Sequence, residues 1–330
     1  MTDALVLGAT GHIGAHVVRA LLAGGHRVRA AYRNESYLPV LDGLEVERVR
    51  VDLEEPERQL PAALEGCRWV FHAGGYYPSG RPRPAEAIHR GEESTRRTLE
   101  VIRRFGPERV VFTSSAATIR SVPGRLATEE DPETWPPSEW RSLYSRVKIA
   151  MEREALRAAR GGLPVVIMNP SLCIGEYDAH AFSGRALLAF AKYRVPWVTE
   201  TFFNIVYTGD VGIGHVRAAE CGRVGERYLL TGENVSLPQF AAMAAAEAGV
   251  PAPCWRMPHA LAMAAAVGVE GWAWISRREP LFTRAEVRRV RRGYPLDGSK
   301  AVRELGVPQT PVREAVRRAV AWFREQGTLK

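Results

Sequence analysis

Three glycines at GxxGxxG spacing, in the run Gly8-Ala9-Thr10-Gly11-His12-Ile13-Gly14, follow the short apolar run Ala4–Leu7 and open an amphipathic segment, Ile13–Leu22. That placement constrains the chain more than any other feature. A glycine at the end of a buried strand allows a very tight turn, the second lets backbone N–H groups approach a ligand, and the third lets the helix close on the sheet. The unsatisfied N–H groups and partial positive charge of a helix N-terminus then favour a pyrophosphate. Glycines turn chains for many reasons, and the triplet alone is weak evidence. With a strand before it, a helix after it and the next apolar run, Val28–Tyr32, completing the unit within about thirty residues, it predicts a dinucleotide-binding turn. Gly8, Thr10, Gly11, His12, Ile13 and Gly14 are the expected cofactor contacts.

The same alternation continues downstream. Short apolar or β-branched runs recur at Val46–Val51, Trp69–Phe71, Val110–Phe112 and Val165–Met168, with amphipathic segments at Glu92–Phe105 and Leu143–Arg160. Strands alternating with helices predict an α/β fold of Rossmann type, a doubly wound parallel sheet covered on both faces. Past Pro170 the regularity weakens, and helical stretches broken by Pro and Gly dominate apart from the strand-like Arg227–Leu230. A domain takes ~100–200 residues, so 330 residues suit two. The expected division is a dinucleotide-binding domain over 1–170 with a return segment at about 204–232, and a smaller, mostly helical substrate domain over 171–203 and 233–330.

A formal charge of +8 raises the question of nucleic acid, but only four of the 45 basic residues are lysines and the arginines are spread throughout, commonly beside Glu or Ala. Solvated helix faces account for that pattern better than a binding patch. The four cysteines, Cys67, Cys173, Cys221 and Cys254, form no CxxC pair, so reduced thiols and no metal site are expected. No basic leader precedes the first apolar run, and the stretch Ala260–Ile275 is interrupted by Glu270 and shorter than the ~20 apolar residues a span requires. A cytoplasmic protein with a small-molecule substrate, no nucleic-acid partner and no membrane span is the expectation.

Which dinucleotide is bound should be legible after the second strand. NAD sites usually place an acid ~20 residues beyond the glycine loop to hold the ribose 2′-hydroxyl. Here that strand ends Ala31-Tyr32-Arg33-Asn34, so Arg33 stands where the acid would be, with Glu35 close enough to act as a displaced one. A guanidinium pairs with a 2′-phosphate that a carboxylate would repel. NADP(H) is therefore expected, with NAD(H) the alternative. Asp52, followed by Leu53 at the end of the third strand, is placed to meet an adenine amine or to cap the next helix.

Tyr144 and Lys148, four apart in a helical segment, share one face. An ammonium beside a phenol favours the phenolate and brings its pKa of ~10 toward the working range of an acid–base group. Upstream, the strand Val110–Phe112 runs into Thr113, Ser114 and Ser115 at its C-terminal end, the edge where such sheets bind ligands. A serine hydroxyl there can donate to a substrate oxygen. Ser115 is the first candidate and Ser114 the second; capping of a turn is the structural alternative for either.

Together these residues resemble the extended short-chain dehydrogenase/reductase superfamily. The landmarks are GATGHIG at Gly8–Gly14, VDL at Val51–Leu53, VFHAGG at Val70–Gly75, FTSSAAT at Phe112–Thr118, YSRVK at Tyr144–Lys148 and MNPSLCIG at Met168–Gly175. Later segments, Asn204–Val216 and Gly225–Leu237, look like the family's return to its cofactor domain, and the similarity is to the dihydroflavonol-reductase-like group, neighbours of the nucleoside-diphosphate-sugar epimerases. The resemblance implies a triad of Ser115, Tyr144 and Lys148, with Ala73 and Gly74 flanking the cofactor and Pro170 bordering the nicotinamide; Tyr76, Thr113 and Cys173 complete the expected cofactor shell. One departure is that Gly91 stands where many relatives carry an Asn thought to hold a proton-relay water.

Three functions fit this pattern: NADP(H)-dependent reduction of a ketone or aldehyde; epimerisation or dehydration of a nucleotide sugar with the dinucleotide retained; and a cofactor-binding sensor without chemistry. The substrate is expected to meet Tyr76, Trp140 and Asn169, the last at a position where sugar-nucleotide enzymes of the superfamily often contact substrate. Tyr77, Cys173, Tyr177, Phe182, Phe202 and Phe203 are further candidates that serve equally well as inter-domain core. The block Trp255–Ile275 reads as a lid, a dimer contact or a surface for a lipid-like substrate, and a homodimer through the helices at 92–105 and 143–160 stands beside a monomer.

Overall fold

In the computed structural model the described residues are 2–78, 82–134, 142–179, 181, 183–276, 284, 287 and 293–329. In chain order the first half contains β1 (Ala4–Leu7), α1 (His12–Ala23), β2 (Val28–Tyr32), β3 (Val46–Arg50), α2 (Pro56–Leu64), β4 (Trp69–His72), α3 (Pro84–Arg103), β5 (Arg109–Thr113), α4 (Leu143–Arg160) and β6 (Val165–Pro170). Then come β7 (Leu172–Ile174), α5 (Gly184–Ala191), β8 (Trp197–Val198), β9 (Phe202–Tyr207), α6 (Thr208–Cys221), β10 (Arg227–Leu230), β11 (Glu233–Ser236), α7 (Leu237–Ala248), β12 (Trp255–Arg256), α8 (His259–Ser276), α9 (Ser299–Leu305) and α10 (Val312–Glu325). Short 3-10 helices lie at Glu35–Leu41 and Ala116–Thr118.

Among the described residues seven strands form one sheet in the order β10-β6-β5-β4-β1-β2-β3. All six strand pairings in it are parallel. Side chains alternate across a strand, and β1 shows why this sheet must be covered twice. Ala4 and Val6 join a core with Val17, Val18 and Leu21 of α1 and Val211 and Ala218 of α6. Leu5 and Leu7 join another with Leu99 and Ile102 of α3 and Val147, Met151 and Ala155 of α4. The runs that become β1, β4, β5 and β6 are buried on both faces, as the centre of a parallel sheet requires, whereas β3 at the edge is partly exposed.

Strand order reverses at β1, whose neighbours are β2 on one side and β4 on the other. The crevice outside the carboxyl ends of these strands is the ligand position of doubly wound sheets. Gly8, Gly74, Ser115 and Pro170 all lie at that edge, at or just past the ends of β1, β4, β5 and β6.

In the later part of the chain helices dominate, with α5, α7, α8, α9 and α10, and short strands that the sequence reading did not foresee join them. Strands β11, β9 and β7 form a second sheet, with β7 parallel and β11 antiparallel to β9. A third core unites Ile174, Ile205 and Tyr207 with Leu187 of α5, Phe240 and Ala244 of α7, and Val316 and Phe323 of α10. Of the return segment, β10 enters the large sheet, whereas β9 belongs to the small one. Helix α9, expected within the smaller region, places Ala301 and Leu305 in the core beneath the large sheet. A seven-residue amphipathic stretch carries no mark of which core it will join, because that depends on where the loops before and after it lead.

Helices α3 and α4 pack against each other, and Gly91 sits at their crossing. A Cβ on Gly91 would lie 2.8 Å from Val147 Cγ1 and 3.4 Å from both Met151 Cγ and the Tyr76 ring. Val147 is β-branched and stiff within its helix, so an asparagine has no room where the family resemblance leads one to look for it. Gly91→Asn should therefore destabilise the fold by about 1–3 kcal/mol through overpacking, read as a lower melting temperature; an unchanged melting temperature would show that the two helices separate without strain.

Candidate active site

The glycine loop owes its shape to backbone approaching backbone. Gly8 has φ +77°, and a Cβ there would lie 2.6 Å from Gly74 Cα, so both its conformation and its neighbour demand glycine. A Cβ on Gly14 would lie 2.1 Å from the Gly8 carbonyl oxygen. Gly11 is the N-cap of α1; no side chain caps that helix and no acid stands in its first turn. This leaves the N–H groups of the helix N-terminus without a side-chain cap, the arrangement that suits an anion. His12 takes another course from the one expected. Its Nε2 lies 2.9 Å from Thr208 Oγ1 on α6, its Nδ1 is 3.9 Å from the Asp178 carboxylate, and burial pushes its pKa down to about 3. The neutral ring ties the loop to α6, so only the backbone of His12 remains for a phosphate.

Beyond β2 the Arg33 side chain is exposed, and among the described residues it has no hydrogen-bond or ion-pair partner. Next to it the Asn34 side chain accepts the Ser36 N–H at 3.0 Å and caps the 3-10 helix. The Asp52 carboxylate accepts the Glu54 N–H at 3.0 Å and holds the turn before α2; it does not cap that helix, whose N-cap is Glu55. Leu53 packs on the core near α3 and its carbonyl accepts from Ser94 Oγ at 3.1 Å. Tyr76 lies under the Arg90 guanidinium, which is 5.2 Å from its ring centre.

Three consecutive hydroxyls follow the body of β5, and the structure gives them different work. The Thr113 hydroxyl meets Nε2 of the buried His215 at 2.9 Å. Ser114 donates to Glu152 Oε2 at 2.5 Å and is buried. Ser115 is half-buried and its Oγ accepts the Ala117 N–H at 3.1 Å, capping the turn. Accepting that bond leaves the Ser115 hydroxyl proton available to an incoming oxygen, whereas Ser114 has already committed its own.

Ser142 caps α4 by accepting the Ser145 N–H, which puts Tyr144 in the first turn and Lys148 one turn further on the same face. The Tyr144 ring stands 5.2 Å, centre to centre, from that of the exposed Tyr77. Lys148 is only 9% exposed, and a Cβ on Gly75 would lie 3.5 Å from its Nζ. The ammonium is thus brought from α4 to the turn after β4, the turn in which Gly74 meets Gly8. Burial pushes Lys148 down to about 8, with the Glu152 carboxylate acting in the opposite direction. His72, at the end of β4, is lowered to about 4 by burial and then by the charge of Lys148, so it is neutral beside the ammonium.

Glu152, one further turn along α4, is the residue that sequence reasoning missed. Its Oε2 accepts from Ser114 Oγ at 2.5 Å, Thr118 Oγ1 at 2.9 Å and Asn169 Nδ2 at 2.5 Å, and its Oε1 lies 3.4 Å from Arg227. Asn169, expected to touch substrate, is instead fully buried; its amide nitrogen also contacts the Ser115 carbonyl at 3.2 Å and Thr118 Oγ1 at 3.0 Å. It positions the Ser115 turn from behind. The signal for Glu152 was present in the i, i+4, i+8 stripe of Tyr144, Lys148 and Glu152. Cys173 likewise faces the core, and burial pushes its thiol up to about 12, which makes it inert.

Pro170 closes β6 and is buried. Tyr177 lines a cleft of about 650 Å³ together with Arg19 and Trp322. Phe202 is exposed at the start of β9, and Phe203 packs edge-on against Phe240. Trp140 and Phe182 lie outside the described residues. No group of three His, Cys, Asp or Glu among the described residues could hold a metal ion.

Because Glu152 raises the pKa of Lys148, removing its charge should lower that pKa below about 8. The ammonium is lost as pH rises through its pKa. The alkaline limb of any Tyr144-dependent activity should therefore move to lower pH in Glu152→Gln, with His72 neutral throughout; an unmoved limb in a folded variant would show that the two groups are uncoupled.

Comparison with known proteins bears on this geometry. Residues 4–210 match the family described as NAD dependent epimerase/dehydratase. Sterol demethylase protein B of Methylococcus capsulatus is 35% identical over 98% of this chain and 99% of its own length. A putative dihydroflavonol 4-reductase of Synechocystis is 33% identical over 98% of this chain and 95% of its own. The crystal structure of a nucleoside-diphosphate-sugar epimerase from Pseudomonas aeruginosa superposes with a TM-score of 0.81 at 29% identity, covering 100% of this chain and 99% of that one.

Proposed function

The chain belongs to the NAD dependent epimerase/dehydratase family, among the oxidoreductases and epimerases of the extended short-chain dehydrogenase/reductase type, and from that premise we propose that it is an NADP(H)-dependent oxidoreductase interconverting a ketone or aldehyde and its alcohol. Arg33 carries this reading: an exposed guanidinium directly after β2, without an ion-pair partner among the described residues, where an NAD site carries an acid. The site suits a dinucleotide on two counts. Gly8, Gly14 and Gly74 bring backbone against backbone with no room for a Cβ, which keeps side chains away from the N-terminus of α1, and a buried lysine is held beside Gly75 in the neighbouring turn. The loop from Gly8 to Gly14 would hold the pyrophosphate, Arg33 the 2′-phosphate, and Ala73, Gly74 and Pro170 the borders of the ring.

When bound, the cofactor supplies a hydride to the carbonyl carbon or removes one from the alcohol. For reduction, the Tyr144 hydroxyl gives its proton to the carbonyl oxygen as the carbon accepts the hydride, so the product is the neutral alcohol. Lys148 stabilises the phenolate left behind and lowers the pKa at which it forms. The Ser115 hydroxyl donates a hydrogen bond to the same oxygen and stabilises the charge that develops on it. Tyr77, beside Tyr144, offers an aromatic wall to the substrate.

The runner-up is a nucleotide-sugar epimerase or dehydratase, the kind of enzyme named for one of the solved structures. Asn169 tells against it, since the amide looked to for sugar contact is turned inward onto Glu152 and the Ser115 turn. With candidate carbonyl substrates, the reductase should consume NADPH stoichiometrically, measured by its absorbance; product formed without net consumption would favour the epimerase or dehydratase. Tyr144→Phe should reduce kcat about 10²–10⁴-fold while NADPH still binds; undiminished turnover would remove Tyr144 from the mechanism. Arg33→Ala should weaken NADPH by about 10-fold or more, the worth of one charged hydrogen bond, and leave NADH almost unaffected. Equal losses for both cofactors would leave NADP(H) specificity without support.

A further inference from the structure

We infer that the outer face of α8 seats this protein on an anionic lipid surface. In an ordinary surface helix the large apolar side chains turn inward. In α8 the order is reversed: Ala262, Ala266 and Ala273 are buried, while Leu261, Val267, Trp272, Trp274 and Ile275 are exposed. Trp272 is 69% and Trp274 73% exposed, and Trp255 on β12 is 71% exposed. Every remaining exposed position of α8 is alanine or glycine, so the outer face carries no polar side chain. Glu270, the only acid in the helix, is held by Arg284, whose Nε lies 2.6 Å from its carboxylate. A continuous apolar surface of this kind marks a contact site.

Charge decides among the occupants. The protein carries +8 overall, and the sequence running on from α8, residues 277–292, contains seven arginines and two glutamates. A second copy presenting the same face would bring the same excess of positive charge against it. Anionic headgroups would be attracted by it. Tryptophan is the side chain best suited to the boundary between headgroups and acyl chains, having an apolar body and one N–H donor. An 18-residue helix is about 27 Å long. No helix among the described residues is long and apolar enough to cross a membrane, so α8 lies along the surface. The inference does not depend on the reaction proposed above.

Sedimentation of the intact protein with phosphatidylcholine vesicles, with and without phosphatidylglycerol, tests it. The protein should pellet with the mixed vesicles and far less with phosphatidylcholine alone, and added salt should weaken binding. The double substitution Trp272→Ser with Trp274→Ser should weaken partition by about 10-fold or more. Ile275→Asp should act in the same direction, and the melting temperature of each variant should match that of the parent. Equal binding to both vesicle types, no binding to either, or undiminished binding by the folded variants would overturn the inference. Self-association without vesicle binding, abolished by the same substitutions, would assign the face to a second copy instead.

Discussion

Gly8 and Gly74 meet with no room for a single methyl group between them, and the proposed site lies along the sheet edge that this contact shapes. It lies where the strand order reverses, so the turns after β1 and β4 are neighbours across the crevice. Had either turn carried a side chain, the strands would have to part or the loop to rise, and α1 would no longer begin at the sheet edge. Gly14 repeats the constraint one turn into the helix by letting α1 settle onto the Gly8 carbonyl. Close backbone approach here serves both packing and ligand access, because the same absence of side chains leaves the helix N-terminus open.

Lys148, carried by α4, reaches Gly75, the residue next to Gly74 in the same turn. Its charge is expensive to bury, and the pKa of about 8 records the balance between desolvation and the carboxylate of Glu152 four residues on. Glu152 also gathers Ser114, Thr118 and Asn169, so one carboxylate supports the lysine through its charge and the Ser115 turn through hydrogen bonds. That shared support links two parts of the candidate triad that come from different elements, the end of β5 and the second turn of α4. Preorganisation of this kind is what holds catalytic groups at useful geometry.

Much of this was legible before any coordinates. The run Leu143–Arg160 is a helix with those same limits, and Ala4–Leu7, Val28–Tyr32 and Arg227–Leu230 are strands as read. Their patterns are local: apolar periodicity, a serine cap and a glycine stop are written within a few residues of one another. The second sheet was not legible, because β7 has three residues and β11 opens with Glu233 and Asn234, both exposed. Such short strands exist only through their partners, and those partners are distant in sequence.

The sequence by itself determined the doubly wound sheet, the glycine turn at its edge and the shared face of Tyr144, Lys148 and Glu152, since each follows from spacing along one element. Only the tertiary structure decided which way polar side chains face. It turned His12 to Thr208, Asn169 to Glu152 and Ser114 away from the crevice, and left Ser115 with a proton to donate. It also closed α3 onto α4 at Gly91. The reason is physical: a buried hydrogen-bonding group must find a partner, and which partner is within reach depends on how elements far apart in the chain come to lie against one another.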